Sequence, residues 1–163
     1  MDSRAAIKLC IDMGKKVTDA YLADLTDADL LKRPCPGINH IAWQIGHLIS
    51  GEHAMVSAVA PGSMPDLPAG FMEKHSKEKA QSDNPADFLK KDEYIQIMNA
   101  QREGTLKALA ALSDADLDKP VPEPFNHFLG NTGALFSMQG SHWLMHHGQW
   151  AVIRRVLGRP PLF

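Results

Sequence analysis

His142 and His146 stand four residues apart in the run Ser141-His142-Trp143-Leu144-Met145-His146-His147-Gly148-Gln149, which reads as helix near the C-terminus. Successive helical residues turn by about 100°, so these two imidazoles differ by roughly 40° and leave from one face, whereas His147 is rotated roughly 140° from His142. Two imidazoles so placed can grip one divalent ion. With His142 as the zero of angle, Leu135, Met138, Met145, Gln149, Ile153 and Val156 fall within roughly 60°, which puts the pair in the middle of an apolar stripe and predicts burial. An imidazole taken out of water costs on the order of 1–3 kcal/mol unless its nitrogens find partners, and a shared ion supplies one. The competing reading is a pair of core histidines bonded to backbone carbonyls or to each other through water.

A catalytic site of the zinc type takes three protein ligands plus an open position, so one more side chain is required. An earlier helix offers His40, His47 and His53. The first two lie seven residues apart and share a face, while His53 is rotated roughly 120° from His47. Around His47 the same face carries His40, Trp43, Gln44, Ser50, Gly51, Ala54 and Ala58, a crevice-like set unlike the Ile41, Ile45 and Leu48 side. Gln149, three residues beyond His146, is placed either to orient a ligand or to bond another helix. His40 reads as a supporting donor or substrate contact near the bundle mouth, or as a solvated histidine at a helix start. Gly148 reads as a close-packing residue. Trp43, Trp143 and Trp150 read as core or dimer-interface residues, Met138 and Met145 as core, and Arg154 and Arg155 as solvated. His75 and His127 fall in loops with no constellation around them.

Four helices must position these groups, and no stretch shows the period-2 alternation of a strand. The first runs from about Ser3 to Leu25 with Ser3 as cap, its face formed by Ile7, Cys10, Ile11, Gly14, Val17, Thr18 and Tyr21. After a turn of helix at Thr26–Asp29 and the Pro34-Cys35-Pro36-Gly37 break, a second spans about Asn39 to Val59. Residues 61–84, rich in proline and glycine, read as a long crossover. A third helix runs from Pro85 or Lys91 to Leu112 with Asn84 as cap, and a fourth from about Asn131 to Leu157, stopped by Gly158 and Pro160-Pro161. The expected fold is an all-α four-helix bundle with a long crossover connection, one domain over residues 1–163, an architecture that builds metal sites from facing helices.

The 163 residues, 44% hydrophobic and 22% charged, suit a soluble globular chain, and a net charge of −2 offers no field for nucleic acid or anionic lipid. No apolar run approaches the ~20 residues of a membrane span, and the opening Met1-Asp2-Ser3-Arg4 lacks a signal peptide's pattern, so a cytoplasmic protein is expected. Cys10 and Cys35 read as reduced thiols, Cys10 in the core and Cys35 in a loop.

Two runs carry a family resemblance. Pro34-Cys35-Pro36-Gly37-Ile38-Asn39-His40-Ile41-Ala42-Trp43-Gln44-Ile45-Gly46-His47-Leu48, and His142-x-x-x-His146-x-Gly148-Gln149 followed by Arg154-Arg155-Val156-Leu157-Gly158-Arg159-Pro160-Pro161, resemble the DinB/YfiT-like metalloenzyme family over nearly the whole length. The resemblance implies a three-histidine divalent-metal site at His47, His142 and His146, holding zinc or nickel. It further implies a homodimer and an enzyme acting on a small molecule, with a thiol such as bacillithiol, mycothiol or glutathione as cosubstrate of an S-transferase or isomerase. The chain departs from the family pattern at Trp143, where members often carry an acidic residue. An ion held by three neutral imidazoles would activate a thiol or, in a hydrolase, a water. A non-catalytic metal-binding or stress-response bundle is the reading from another class, separated from the enzymes by whether the ion keeps an exchangeable position.

Overall fold

The structure is a computed structural model and describes residues 1–162. In chain order the helices are α1 (Ser3–Leu22), α2 (Asp27–Leu30), α3 (Ile41–Val59), α4 (Phe71–Lys74), α5 (Lys91–Ala111), α6 (Asp114–Leu117) and α7 (Thr132–Val156). The described residues form no strand, and the four long helices α1, α3, α5 and α7 make the bundle. Each long helix packs on two others, α1 on α7 and α5, and α3 on α5 and α7.

Contacts fix the directions. Thr18 meets His147 and Asp24 meets Arg154, so α1 and α7 run parallel. Gln44 meets Gln149 and Met55 meets Gln139, so α3 runs against α7. Arg4 reaches the Leu112 carbonyl while Lys91 reaches Leu22 and Leu25, so α5 runs against α1. The order is therefore up, down, down, up; α3 and α5 point the same way, so residues 60–90 between them must run back along the bundle as a long crossover.

Local chemistry sets the boundaries. Asp2, not Ser3, caps α1, accepting from the Ala5 N–H at 2.8 Å. That helix stops at Leu22 rather than Leu25, because Leu25 turns into the core and the Lys91 ammonium takes the Leu22 and Leu25 carbonyls at 3.2 and 2.8 Å. Thr26 and Asp29 form a capping box on α2. Asn84 caps only a 3₁₀ turn at Pro85–Asp87; Phe88 is extended, and α5 begins afresh at Lys91. Asn131 caps α7 through the Ala134 N–H, and Gly158 takes the left-handed conformation at φ 70° just past its end.

α1 and α7 come closest at two glycines. A Cβ on Gly140 would stand 2.5 Å from the Cys10 carbonyl oxygen, and one on Gly14 would stand 3.1 Å from that of Gly140. The core falls into two apolar clusters, one around Ile45, Tyr94, Trp143 and Trp150 and the other around Ile11, Val56, Leu109 and Phe136. Between them along α3, α5 and α7 lies a buried polar layer of Glu52, Arg102, Thr105 and Gln139. Cys10 is partly buried and Cys35 exposed, both free thiols. Among the described residues no helix is long and apolar enough to cross a membrane.

Candidate metal centre

The antiparallel neighbours α3 and α7 bring His47, His142 and His146 together: one ring nitrogen from each lies within 4.8 Å of the others. Ring centroids are 5.0 to 5.6 Å apart. His47 and His142 are half-buried and His146 is buried. Burial is the main cause that lowers the basicity of all three. It brings His142 to about 4, helped by the charge of His47, and His146 to about 3, helped by His142, His47 and His147. His47 is lowered by burial first and by the Lys77 ammonium second. All three rings are thus neutral at pH 7, with lone pairs free to donate, and the cluster contains no carboxylate.

The donor set fits a borderline divalent cation, since neutral imidazoles suit zinc, nickel or copper. Bonds of ~2.1 Å in tetrahedral geometry bring ligand atoms to about 3.4 Å of one another. The three nitrogens, up to 4.8 Å apart, would have to draw in by about 1.4 Å to share an ion, and the rings of His47 and His142 are half-exposed.

Neighbouring residues hold the rings. Trp43 stacks flat on His47, centroids 5.0 Å apart and planes 6° from parallel, while its indole N–H donates to the Ser76 carbonyl at 3.0 Å and ties the crossover to the site. Gln44, wholly buried, meets His146 Nδ1 through Oε1 at 2.8 Å. Gln149 accepts from Gln44 Nε2 at 3.1 Å, the interhelical alternative of its two expected roles.

Several expectations are corrected. The buried face of α7 centres on Trp143, His147 and Trp150 rather than on the histidine pair, because α1 covers that side; Met145 and Val156 are 61% and 59% exposed. His142 therefore sits at the edge of the stripe. His40 is neither solvated nor beside the cluster's rings: its Nδ1 accepts the Trp43 N–H as the cap of α3, and its Nε2 donates to the Ser82 carbonyl at 3.1 Å. Gly148 is exposed and packs against nothing, close packing falling instead to Gly46 and Gly140. Arg154 is buried, held by Asp24 through both guanidinium Nη atoms at 2.6 and 2.8 Å, whereas Arg155 is exposed as expected.

His75 is 2% exposed, packed on Gly46, its Nδ1 donating to the Phe71 carbonyl and its Nε2 accepting from the Tyr94 hydroxyl, each at 2.7 Å. His147 is buried on α1, its Nε2 donating to Thr18 at 2.8 Å. His53 points to Gln101 at 3.1 Å, away from the cluster. Gln44 was legible as a neighbour of His47 on one helix face, but nothing in the sequence marked it as the partner of His146. Nor did any spacing mark the buried Glu52–Arg102 pair, 3.1 Å apart, because its members lie fifty residues from each other.

A family model described as the DinB superfamily matches residues 11–150. Among solved structures, the crystal structure of a conserved protein from Enterococcus faecalis is similar, with a TM-score of 0.72, 16% identity, and coverage of 98% of this chain and 99% of that one. No curated protein matches the chain. The solved structure shares the fold, and the family model, which runs from α1 through α3 and α5 into α7, shows that the chain belongs to the DinB superfamily.

Proposed function

We propose that the chain is a divalent-metal-dependent enzyme acting on a small molecule, with His47, His142 and His146 as the metal ligands and a low-molecular-weight thiol as cosubstrate of a transfer or isomerisation. The observation that carries this reading is the convergence of three neutral imidazoles, from two helices, to within 4.8 Å with no carboxylate among them. When bound, zinc or nickel would keep its full +2 charge and an open position, supplying Lewis-acid activation of a thiol or water. The chain's own residues hold the ligands neutral by burial and fix His47 against Trp43 and His146 against Gln44, with the Lys77 ammonium acting on His47. Absence of an acid or base in the cluster favours thiol chemistry over hydrolysis, which gains from a positioned proton acceptor.

Elemental analysis of the purified protein should give close to one zinc or nickel per chain, and His142→Ala should lose it. A cobalt-substituted sample titrated with low-molecular-weight thiols should change its visible spectrum. An unchanged spectrum removes the thiol reading, and a metal that exchanges no ligand at all favours the non-catalytic alternative. We further infer a homodimer through the side of the bundle where α1 exposes Leu9 and Met13 and α7 exposes Met145, Val152 and Val156. Light scattering should give twice the chain mass, falling to one in Met145→Glu/Val152→Glu.

A further inference from the structure

Gln44 has every polar direction of its side-chain amide in use. Oε1 lies 2.8 Å from His146 Nδ1 and 3.0 Å from Trp150 Nε1, and Nε2 lies 2.6 Å from the Asn39 carbonyl and 3.1 Å from Gln149 Oε1. Chemistry fixes which end is which. An indole N–H only donates, so the atom facing Trp150 is the oxygen; a backbone carbonyl only accepts, so the atom facing Asn39 is the nitrogen. An amide oxygen cannot donate, so the proton in the His146 contact sits on Nδ1. With that proton on Nδ1, the nitrogen left to offer a lone pair to an ion is Nε2.

Resting on the metal reading above, we propose that Gln44 is the positioning residue of the centre: it locks His146 in the Nδ1–H tautomer and turns its Nε2 toward His47 and His142. Its own orientation is set by three residues at once, Asn39 where the chain enters α3 and Gln149 and Trp150 on α7. Because the acceptor is a neutral amide rather than a carboxylate, it orients the imidazole without adding negative charge beside the ion.

The test combines side-chain ¹⁵N NMR of the metal-free protein with zinc titration against a competing chelator, on wild type, Gln44→Met and Gln44→Glu. Metal-free wild type should show His146 protonated at Nδ1. Gln44→Met, similar in volume but without the acceptor, should show mixed tautomers and a zinc affinity about 10–100-fold lower. Gln44→Glu keeps an acceptor for His146 but loses the two N–H donors to Asn39 and Gln149, so it should keep the Nδ1–H tautomer while binding zinc less tightly than wild type. An Nε2-protonated His146 in wild type, or unchanged zinc affinity in Gln44→Met, overturns the proposal. If Gln44→Met does not fold, the tautomer of His146 in wild type decides by itself. Because the tautomer is read without metal, an Nδ1-protonated His146 in a protein that binds neither zinc nor nickel would sink the metal reading itself and leave Gln44 a core contact.

Discussion

At Gly46 the α3 backbone carries no side chain, and the His75 ring occupies the space: a Cβ there would stand 2.0 Å from the imidazole. This histidine is held neutral by its surroundings. Burial brings its pKa down to about 4, against the 6.5 it recovers when the chain unfolds, and the hydrogen bond accepted from Tyr94 is available only to the unprotonated Nε2. Between those two values the unfolded chain binds the proton that the folded one refuses, so stability is complete above pH 6.5 and falls as the solution is acidified toward pH 4. From His75 alone the loss between pH 7 and pH 5 should be about 2 kcal/mol, measurable by urea denaturation at the two pH values, and His75→Phe should remove that part of the slope. Buried His40, also lowered mainly by desolvation, acts in the same direction.

At the scale of elements, the α1–α7 contact carries a sharp requirement. Replacing Gly140 by Ala would place a methyl group 2.5 Å from the Cys10 carbonyl, a backbone atom that cannot rotate away. The two helices must part, so Gly140→Ala should cost about 3 kcal/mol, the upper end of what overpacking typically costs. Gly148 lies on the same helix with open space around it. Gly148→Ala should therefore stabilise by about 0.5–1 kcal/mol through helix propensity alone, raising the thermal midpoint where Gly140→Ala lowers it.

Across the whole molecule, the layer between the two apolar clusters joins three helices through one ion pair. Arg102 of α5 meets Glu52 of α3 at 3.1 Å, donates to the Gln139 carbonyl of α7 at 3.1 Å, and lies 5.6 Å from the centre of the Trp143 ring. Thr105 adds a hydrogen bond to Glu52 at 2.6 Å. Burial pushes the Glu52 carboxyl up, and the guanidinium opposes it. Arg102→Ala leaves that carboxyl buried without its partner and should cost about 3–5 kcal/mol, whereas Glu52→Leu/Arg102→Met should recover most of the loss. Denaturation of the two variants decides between a pair that stabilises and one that only orders the three helices.

The four helices were legible because apolar spacing and the punctuation at Asn131, Gly158 and the prolines are local properties of the chain. The candidate site was legible in part: His142 and His146 are related by helical periodicity, which the sequence contains, and the resemblance joined His47 to them. Which face of α7 is buried was not legible, because that depends on α1 lying alongside it, and α1 and α7 meet across more than a hundred residues of sequence. The same holds for Arg154, read as solvated until the fold delivers Asp24, and for His75, isolated in sequence yet pressed on Gly46 by the crossover. Periodicity determined the rods and the pair of histidines that share a face on one of them. The partners of each buried polar group were decided only when distant segments packed, because a hydrogen bond across helices leaves no trace in local spacing.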